Sequence, residues 1–263
     1  MNKKEQNSIS SAWICALDNA LSRSNCDATP LVVSINSFCE DGLPVQNFDL
    51  KSDIDDLLIK QGKITTDDCA FVIFPYSLWE LFDFPGIPEF TELCKRQLLN
   101  RLRKLHHKNR HGTYFERMIQ YSGVKRGEKE PEKCDQLAFI HKIWYREKAR
   151  NKRPRQSALQ IACFDPVKDH TGSCLSGFPC LQQVSLAYGD DDSLVLNAYY
   201  PTQYLFDRAY GNYLGLCHLG LFISRGLGTT LRQVNCFIGK PEIGKLQEGQ
   251  RKEIRDLLKK YKS

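Results

Sequence analysis

The chain has 263 residues, 41% of them hydrophobic and 11% aromatic, which is enough apolar material for one large domain or two small ones. This composition excludes a disordered or collagen-like chain. No apolar run approaches the ~18 residues of a membrane span, and the N-terminus lacks the apolar stretch of a secretory signal. The eleven cysteines show no CxxC spacing, so a cytoplasmic protein with free thiols is predicted.

The net charge of +6 is unevenly distributed along the chain. Residues 1–92 carry six Lys and Arg against fifteen Asp and Glu, whereas residues 93–263 carry thirty-one against sixteen. A basic C-terminal part favours an anionic ligand, which the charge alone leaves open as a mononucleotide, a folate tail or nucleic acid.

Hydrophobic periodicity predicts alternating helices and strands in the first part of the chain. A helix is predicted over residues 8–24 and a β-branched strand over 31–35. A second pair follows, a helix over 53–59 and a buried strand over 70–74 that a proline ends. Leucines at helical spacing then predict a long amphipathic helix over 89–107, whose basic face is suited to contacting phosphates.

The residue pattern of the second part of the chain predicts a sheet and a buried helix. An exposed loop over 122–133 precedes a helix over 135–148. The remaining elements are strands over 157–164, 181–188 and 194–200, a helix apolar on nearly every side over 203–224, a strand over 231–238 and a helix from 243. This order predicts an α+β layer architecture.

Several common classes of site are excluded because the sequence lacks their motifs. His107 and His111 have the i, i+4 spacing of metal ligands, but no Cys or acidic partner lies at a usable distance, so no metal site is predicted. The sequence lacks GxGxxG, GxxxxGK[ST] and GxSxG, which excludes the usual dinucleotide, P-loop and hydrolase sites. Nucleic-acid binding through the basic helix and the Lys/Arg-rich stretch 143–155 stays an alternative, although few aromatic residues accompany these charges.

One cysteine has a setting that suits chemistry. Cys180 follows Pro179 at the start of a predicted strand, and Arg153 and Arg155 precede it along the chain. Cationic neighbours lower the pKa of a thiol and make a nucleophilic thiolate available. The alternative is that Cys180 fills the core, as most buried cysteines do.

Five segments in order resemble the thymidylate synthase family, in particular its shorter branch of archaeal synthases and pyrimidine hydroxymethylases. They are GTYFERMIQY at 112–121, CDQL at 134–137, the segment from Arg155 to Asp165-Pro166, Pro179-Cys180, and residues 194–224. The resemblance covers residues 112–262 well and the first 111 residues by element order only. It implies a single domain over 1–263, with an N-terminal α/β portion (1–111) and a catalytic-core-like portion (112–262).

The resemblance implies a large mixed β-sheet covered by helices, one long buried helix, and a homodimer formed through the sheet face. It also implies that Cys180 adds to C6 of a pyrimidine nucleotide or nucleoside, so that C5 can attack a one-carbon unit. A reduced folate such as methylene-tetrahydrofolate would carry that unit, making the protein a methyl- or hydroxymethyltransferase. The substrate-binding residues implied are Asn212, Arg155, Arg208, Tyr199 and Arg117.

The sequence departs from the family pattern around the substrate phosphate and ribose. Pro201 stands where the family has its phosphate-binding Arg, and Tyr204 stands where it has an Asp. Residues 239–244 lack the His-x-Tyr pair that holds the ribose. We therefore expect weak or missing dUMP activity, with Arg208 as a substitute charge. A catalytically inactive homologue that binds a nucleotide or a protein is the alternative function.

Overall fold

The computed structural model describes residues 7–22, 29–100, 112–124, 127, 129–170, 172, 178–244 and 246–262. Within these ranges the helices are α1 (Ile9–Ser22), α2 (Phe48–Lys60), α3 (Thr66–Phe71), α4 (Tyr76–Leu81), α5 (Ile87–Leu93), α6 (Tyr114–Ile119), α7 (Gln136–Lys148), α8 (Pro166–Asp169), α9 (Tyr210–Leu227) and α10 (Glu248–Tyr261). The strands are β1 (Leu31–Ile35), β2 (Tyr121–Val124), β3 (Pro131–Cys134), β4 (Gln160–Ala162), β5 (Gln183–Tyr188), β6 (Ser193–Tyr204) and β7 (Thr230–Glu242).

Five strands form one mixed sheet in the order β1-β7-β6-β5-β4. The central pair β6–β7 is parallel, and the other three pairs are antiparallel. Strands β2 and β3 form a separate antiparallel hairpin. The predicted α+β class with a mixed sheet and one long buried helix is confirmed.

Helix α9 lies against one face of the sheet and forms the centre of the core. A π-helical turn, Leu205–Ala209, leads directly from β6 into α9. Nearly every residue of α9 is buried, and alternate residues of β7, among them Val234, Cys236 and Ile238, are buried beneath the helices. The opposite face of the sheet has half-buried or exposed residues at most of the matching alternate positions, as the two-residue period of a strand requires.

Two glycines let α9 approach α3 unusually closely. A Cβ at Gly211 would lie 2.5 Å from the carbonyl oxygen of Thr66 and 2.6 Å from Cβ of Cys69. A Cβ at Gly215 would lie 2.7 Å from the carbonyl oxygen of Ala70. Any larger side chain would force the helices apart, so the two glycines hold α3 directly against the first turns of α9.

The strand predicted over 70–74 is wrong, because this region belongs to helix α3 and the turn after it. Thr65 caps the helix by accepting a hydrogen bond from the backbone N–H of Asp68. Phe74 is buried among aromatic rings, and its ring centroid lies 4.8 Å from that of Phe222 on α9. A short buried helix and a buried strand both give a continuous apolar run, so periodicity cannot distinguish them.

Other predicted elements also differ in extent or kind. The strand predicted over 157–164 is a 3₁₀ turn, Gln156–Ala158, followed by the short strand β4. The loop predicted over 122–133 contains the β2–β3 hairpin, whose mostly exposed polar residues give no alternating signal. Helix α2 begins several residues before the predicted start, because its N-cap is Asn47, whose side chain accepts a hydrogen bond from the backbone N–H of Leu50.

The helix predicted over 89–107 begins at Ile87 and changes to a π-helical turn at Cys94–Leu98. Residues 101–111, which include His107, His111 and part of the predicted basic face, lie outside the described residues. No helix in the described ranges is long and apolar enough to cross a membrane.

Candidate functional site

Cys180 lies just before β5, and its side chain reaches the surface. Its backbone N–H donates a hydrogen bond to the hydroxyl of Tyr114, 3.1 Å away. Tyr114 is the first residue of α6, whose start is fixed by Thr113 accepting a hydrogen bond from the backbone N–H of Glu116. The Tyr114 hydroxyl also acts to lower the pKa of the Cys180 thiol, so the thiol has a polar neighbour.

Asn212 and Cys69 meet at the close contact between α9 and α3. The Cys69 thiol lies 3.2 Å from Oδ1 of Asn212 and donates to it, with the carbonyl oxygen of Arg208 3.5 Å away. Both side chains are buried. Because Gly211 has no side chain, Cys69 can pack against the α9 backbone and hold the amide of Asn212 in one orientation.

Arg208 belongs to the π-helical turn that precedes α9. Such turns are rare and are frequent at functional sites. The adjacent Asp207 pairs with Lys63 at 2.6 Å, which ties the turn to the loop before α3. Arg208 is half-buried and acts electrostatically on the thiols of both Cys69 and Cys180. In the described part of the chain its guanidinium makes no ion pair with a carboxylate.

We call these five residues, Cys180, Tyr114, Cys69, Asn212 and Arg208, the Cys180 site. They come from α6, α3, the π-helical turn, α9 and the segment before β5. Cys69 links the group, since it touches Asn212 and interacts electrostatically with Cys180 and Arg208. The fold thus brings together three of the predicted site residues.

Burial raises the pKa of the Cys180 thiol, and this effect outweighs the opposing influence of Arg208 and of the Tyr114 hydrogen bond. The expectation of a lowered thiol pKa is therefore wrong for the free protein. Burial likewise raises the pKa of Cys69 to about 11. Both sulfurs are thus protonated at neutral pH before any ligand binds.

Arg155 does not lie beside Cys180. It precedes a 3₁₀ turn, Gln156–Ala158, that is held at the Tyr188 end of β5 by a hydrogen bond from Gln156. Cys180 lies at the other end of β5, beyond Gln183. At about 3.3 Å per residue, the strand separates the two ends by roughly 17 Å.

Tyr199 faces away from the Cys180 site. Its ring packs against Phe237 on the open face of the sheet, with centroids 5.7 Å apart. Only its backbone approaches Cys180, through a carbonyl oxygen that accepts a hydrogen bond from the N–H of Gln182. Tyr200, one residue later, faces the helix-covered side.

Arg117 is held by a carboxylate rather than left free for a ligand. Its guanidinium makes two hydrogen bonds to Asp169, of 2.7 and 2.8 Å, and donates to the carbonyl oxygen of Cys163. It also lines a cavity of about 310 Å³ together with Glu116 and Lys133. The bidentate pair makes Arg117 a structural link between α6 and α8.

The predicted basic helix is largely neutralised where the structure describes it. Lys95 pairs with Asp135 at 2.8 Å, and Arg96 pairs with Glu92. In the stretch 143–155, Arg146 and Arg150 pair with Glu147 and Arg153 pairs with Asp192, whereas Lys148 is exposed. Across the described ranges, no group of three or more His, Cys, Asp and Glu residues is arranged to hold a metal ion.

Sequence reasoning missed two members of the site. Tyr114 lies in the segment 112–121, but the sequence indicates no role for it, and Cys69 precedes the segment 70–74 that was predicted as a strand. A signal for Cys69 is present in the spacing of Gly211 and Gly215, because small residues one helical turn apart indicate a closely packed neighbouring helix. Nothing in the sequence identifies α3 as that neighbour.

A comparison of the sequence with protein-family models and with curated proteins finds no match.

Proposed function

We propose that this chain is a divergent thymidylate synthase-like protein that binds a pyrimidine nucleotide or nucleoside at the Cys180 site. The observation that carries the proposal is the clustering of Cys180, Asn212 and Arg208. The resemblance assigned a role to each of the three, and they approach one another through Cys69. A cysteine that only fills the core needs neither a held amide nor a neighbouring guanidinium that lacks a carboxylate partner among the described residues.

The chemistry proposed begins with addition of the Cys180 thiolate to C6 of the pyrimidine. The S–C6 bond forms, and the electrons of the C5=C6 double bond move toward C5 and the C4 carbonyl oxygen. The amide of Asn212 offers both a donor and an acceptor to the ring edge where this charge develops. Arg208 favours the thiolate over the thiol and can also meet a ligand phosphate.

A reduced folate would supply the one-carbon unit for any transfer beyond the addition step. A pterin ring presents N–H donors, which carboxylates accept best. The five residues of the Cys180 site contain no carboxylate, so they do not fit a pterin. The proposed chemistry of these residues therefore ends with the addition step.

The second function is a binding module of the same fold without catalysis. The raised pKa of Cys180 favours it, because a protonated thiol is a poor nucleophile. Pro201 in place of the family's phosphate-binding Arg also favours weak binding of dUMP. Nucleic-acid binding through the stretch 143–155 is a third function, supported by exposed basic residues such as Lys148.

We also propose a homodimer formed through the open face of the sheet. Val32, Phe237 and Tyr199 lie on neighbouring strands of this face and are 59%, 43% and 38% exposed. They form an apolar row across three strands. A second copy of the same face would cover this row and remove its aromatic rings from water.

Calorimetric titration tests the ligand class. The probes are uridine, deoxyuridine and deoxycytidine and their 5′-monophosphates. We expect Arg208→Gln to weaken the binding of a monophosphate by about ten- to one hundred-fold, the value of one charge-assisted contact, and to leave the nucleoside little changed. Arg146→Gln is the control, because Arg146 is exposed and pairs with Glu147. If none of the pyrimidines binds more tightly than about 1 mM, the proposal is wrong.

A further inference from the structure

The hydroxyl of Tyr200 is buried without a hydrogen-bond partner. Tyr200 lies in β6 and has no exposed surface. Its hydroxyl oxygen has no partner among the residues that the structure describes. Buried hydroxyl groups are nearly always paired, and phenylalanine would fill the same space without an unpaired polar atom. The hydroxyl therefore calls for an explanation.

The other two fully buried tyrosines of the described ranges are paired. Tyr213 donates to Oε1 of Gln203 at 3.3 Å, and the Tyr210 hydroxyl lies 3.1 Å from that of Ser10. The fold therefore satisfies the tyrosine hydroxyls that serve only to hold the core together. Tyr200 is the exception.

Tyr200 lies on the side of the sheet that carries the Cys180 site. Its hydroxyl interacts electrostatically with Tyr114 and with Cys69, two members of that site, as well as with Cys236 and Cys163. The backbone N–H of Gln182 donates a hydrogen bond to the carbonyl oxygen of Tyr199, so the segment that carries Cys180 runs beside the part of β6 that carries Tyr200. Cys180 is exposed and Tyr200 is fully buried, so Tyr200 lies on the inner side of this segment.

We infer that the Tyr200 hydroxyl hydrogen-bonds the base of the pyrimidine that binds at the Cys180 site. This inference rests on the proposed function. A charged phosphate or a polar ribose would be strongly disfavoured at a fully buried position, whereas a flat base with one polar edge can enter it. Asn212 then contacts one part of that edge and Tyr200 another, so Tyr200 helps to determine which base is bound.

The test is Tyr200→Phe, with Tyr213→Phe as the matched control. Calorimetry measures the affinity of each variant for the pyrimidine nucleosides and monophosphates named above, and thermal melting measures the stability of the free proteins. We expect Tyr200→Phe to weaken binding about ten-fold while the melting temperature stays the same or rises. Tyr213→Phe should lower the melting temperature, because it leaves the buried Oε1 of Gln203 without its donor, and should change the affinity less than two-fold.

Two results would overturn the inference while the proposed function stands. In the first, Tyr200→Phe binds the pyrimidine as tightly as the unmodified protein. In the second, Tyr200→Phe lowers the melting temperature as much as Tyr213→Phe does, which would show that the hydroxyl already has a partner, such as a buried water, in the free protein. If the unmodified protein binds none of the pyrimidines, the proposed function fails and the inference fails with it.

Discussion

Replacing Gly211 by alanine tests the helix contact on which the Cys180 site depends. The added Cβ would lie 2.5 Å from the carbonyl oxygen of Thr66 and 2.6 Å from Cβ of Cys69. Neither atom can move without moving α3, because one is backbone and the other is fixed to it. We expect α3 to shift outward and Cys69 to lose its contact with Asn212.

The magnitude follows from two opposing effects. Overpacking a core contact lowers the free energy of unfolding by about 1–3 kcal/mol. Replacing a glycine inside a helix by alanine raises it by about 1 kcal/mol, because alanine loses less conformational entropy on folding. Gly249→Ala in α10 is the matched control, since nothing lies within 4 Å of the added Cβ. The Gly211 variant should therefore be about 1–3 kcal/mol less stable than the Gly249 variant.

Urea unfolding followed by tryptophan fluorescence measures this difference. All three tryptophans are buried, so their emission reports loss of the core. The Gly211 variant should also bind pyrimidines less tightly than the Gly249 variant, because Asn212 is no longer held. If the two variants are equally stable, α3 does not pack against α9 as described, and the reasoning that places Cys69 beside Asn212 is refuted.

Three further predictions concern an ion pair, a thiol and an interface. Burial alone raises the pKa of Asp169, but Arg117 outweighs it and lowers the pKa below its ordinary value. Asp169→Asn should therefore lower the free energy of unfolding by about 3 kcal/mol near pH 7. The difference in stability between the variant and the unmodified protein should shrink as the pH falls below about 4, and a difference that does not change with pH contradicts this. Iodoacetamide should label Cys180 faster than the buried Cys163, with a rate that still rises above pH 8 because the pKa of Cys180 is raised; a rate that levels off near pH 7 would show a lowered pKa. Light scattering should give about twice 30.2 kDa, and Phe237→Asp should give a monomer; a monomer without the substitution removes the dimer proposal.

The sequence predicts the sheet and the long buried helix because their signals are local. The run of apolar residues over 203–224 is too long and too uniformly apolar for a surface helix, and the strands over 181–188 and 194–200 show the two-residue period. The segment 70–74 is too short for such a signal. Its burial comes from contacts with α9, which are distant in sequence.

Only part of the Cys180 site could be predicted, because the rest depends on contacts between segments that are distant in sequence. Cys180 and Asn212 follow from the ordered segments, but the side on which a strand residue points depends on tertiary packing. Tyr199 and Tyr200 are neighbours in β6, so they must face opposite sides of the sheet. Which of them faces the helices is decided by α9, and it is Tyr200. Arg155 does not reach Cys180, because the two residues lie at opposite ends of β5.

Hydrogen exchange at C5 of a bound pyrimidine tests the central claim most directly. Addition of the Cys180 thiolate to C6 makes C5 an enolate carbon, which takes up a deuteron from D₂O. Loss of the original C5 proton and departure of the thiolate then return the pyrimidine with deuterium at C5. The reaction needs no folate and is followed by the loss of the C5 proton signal in NMR spectra.

We expect the protein to exchange the C5 proton of a pyrimidine that it binds in the calorimetric titration. Cys180→Ala should abolish the exchange, whereas Cys39→Ala, which removes an exposed cysteine outside the Cys180 site, should preserve it. A tightly bound pyrimidine that shows no exchange, or exchange that persists in Cys180→Ala, would contradict the role of Cys180 as the nucleophile.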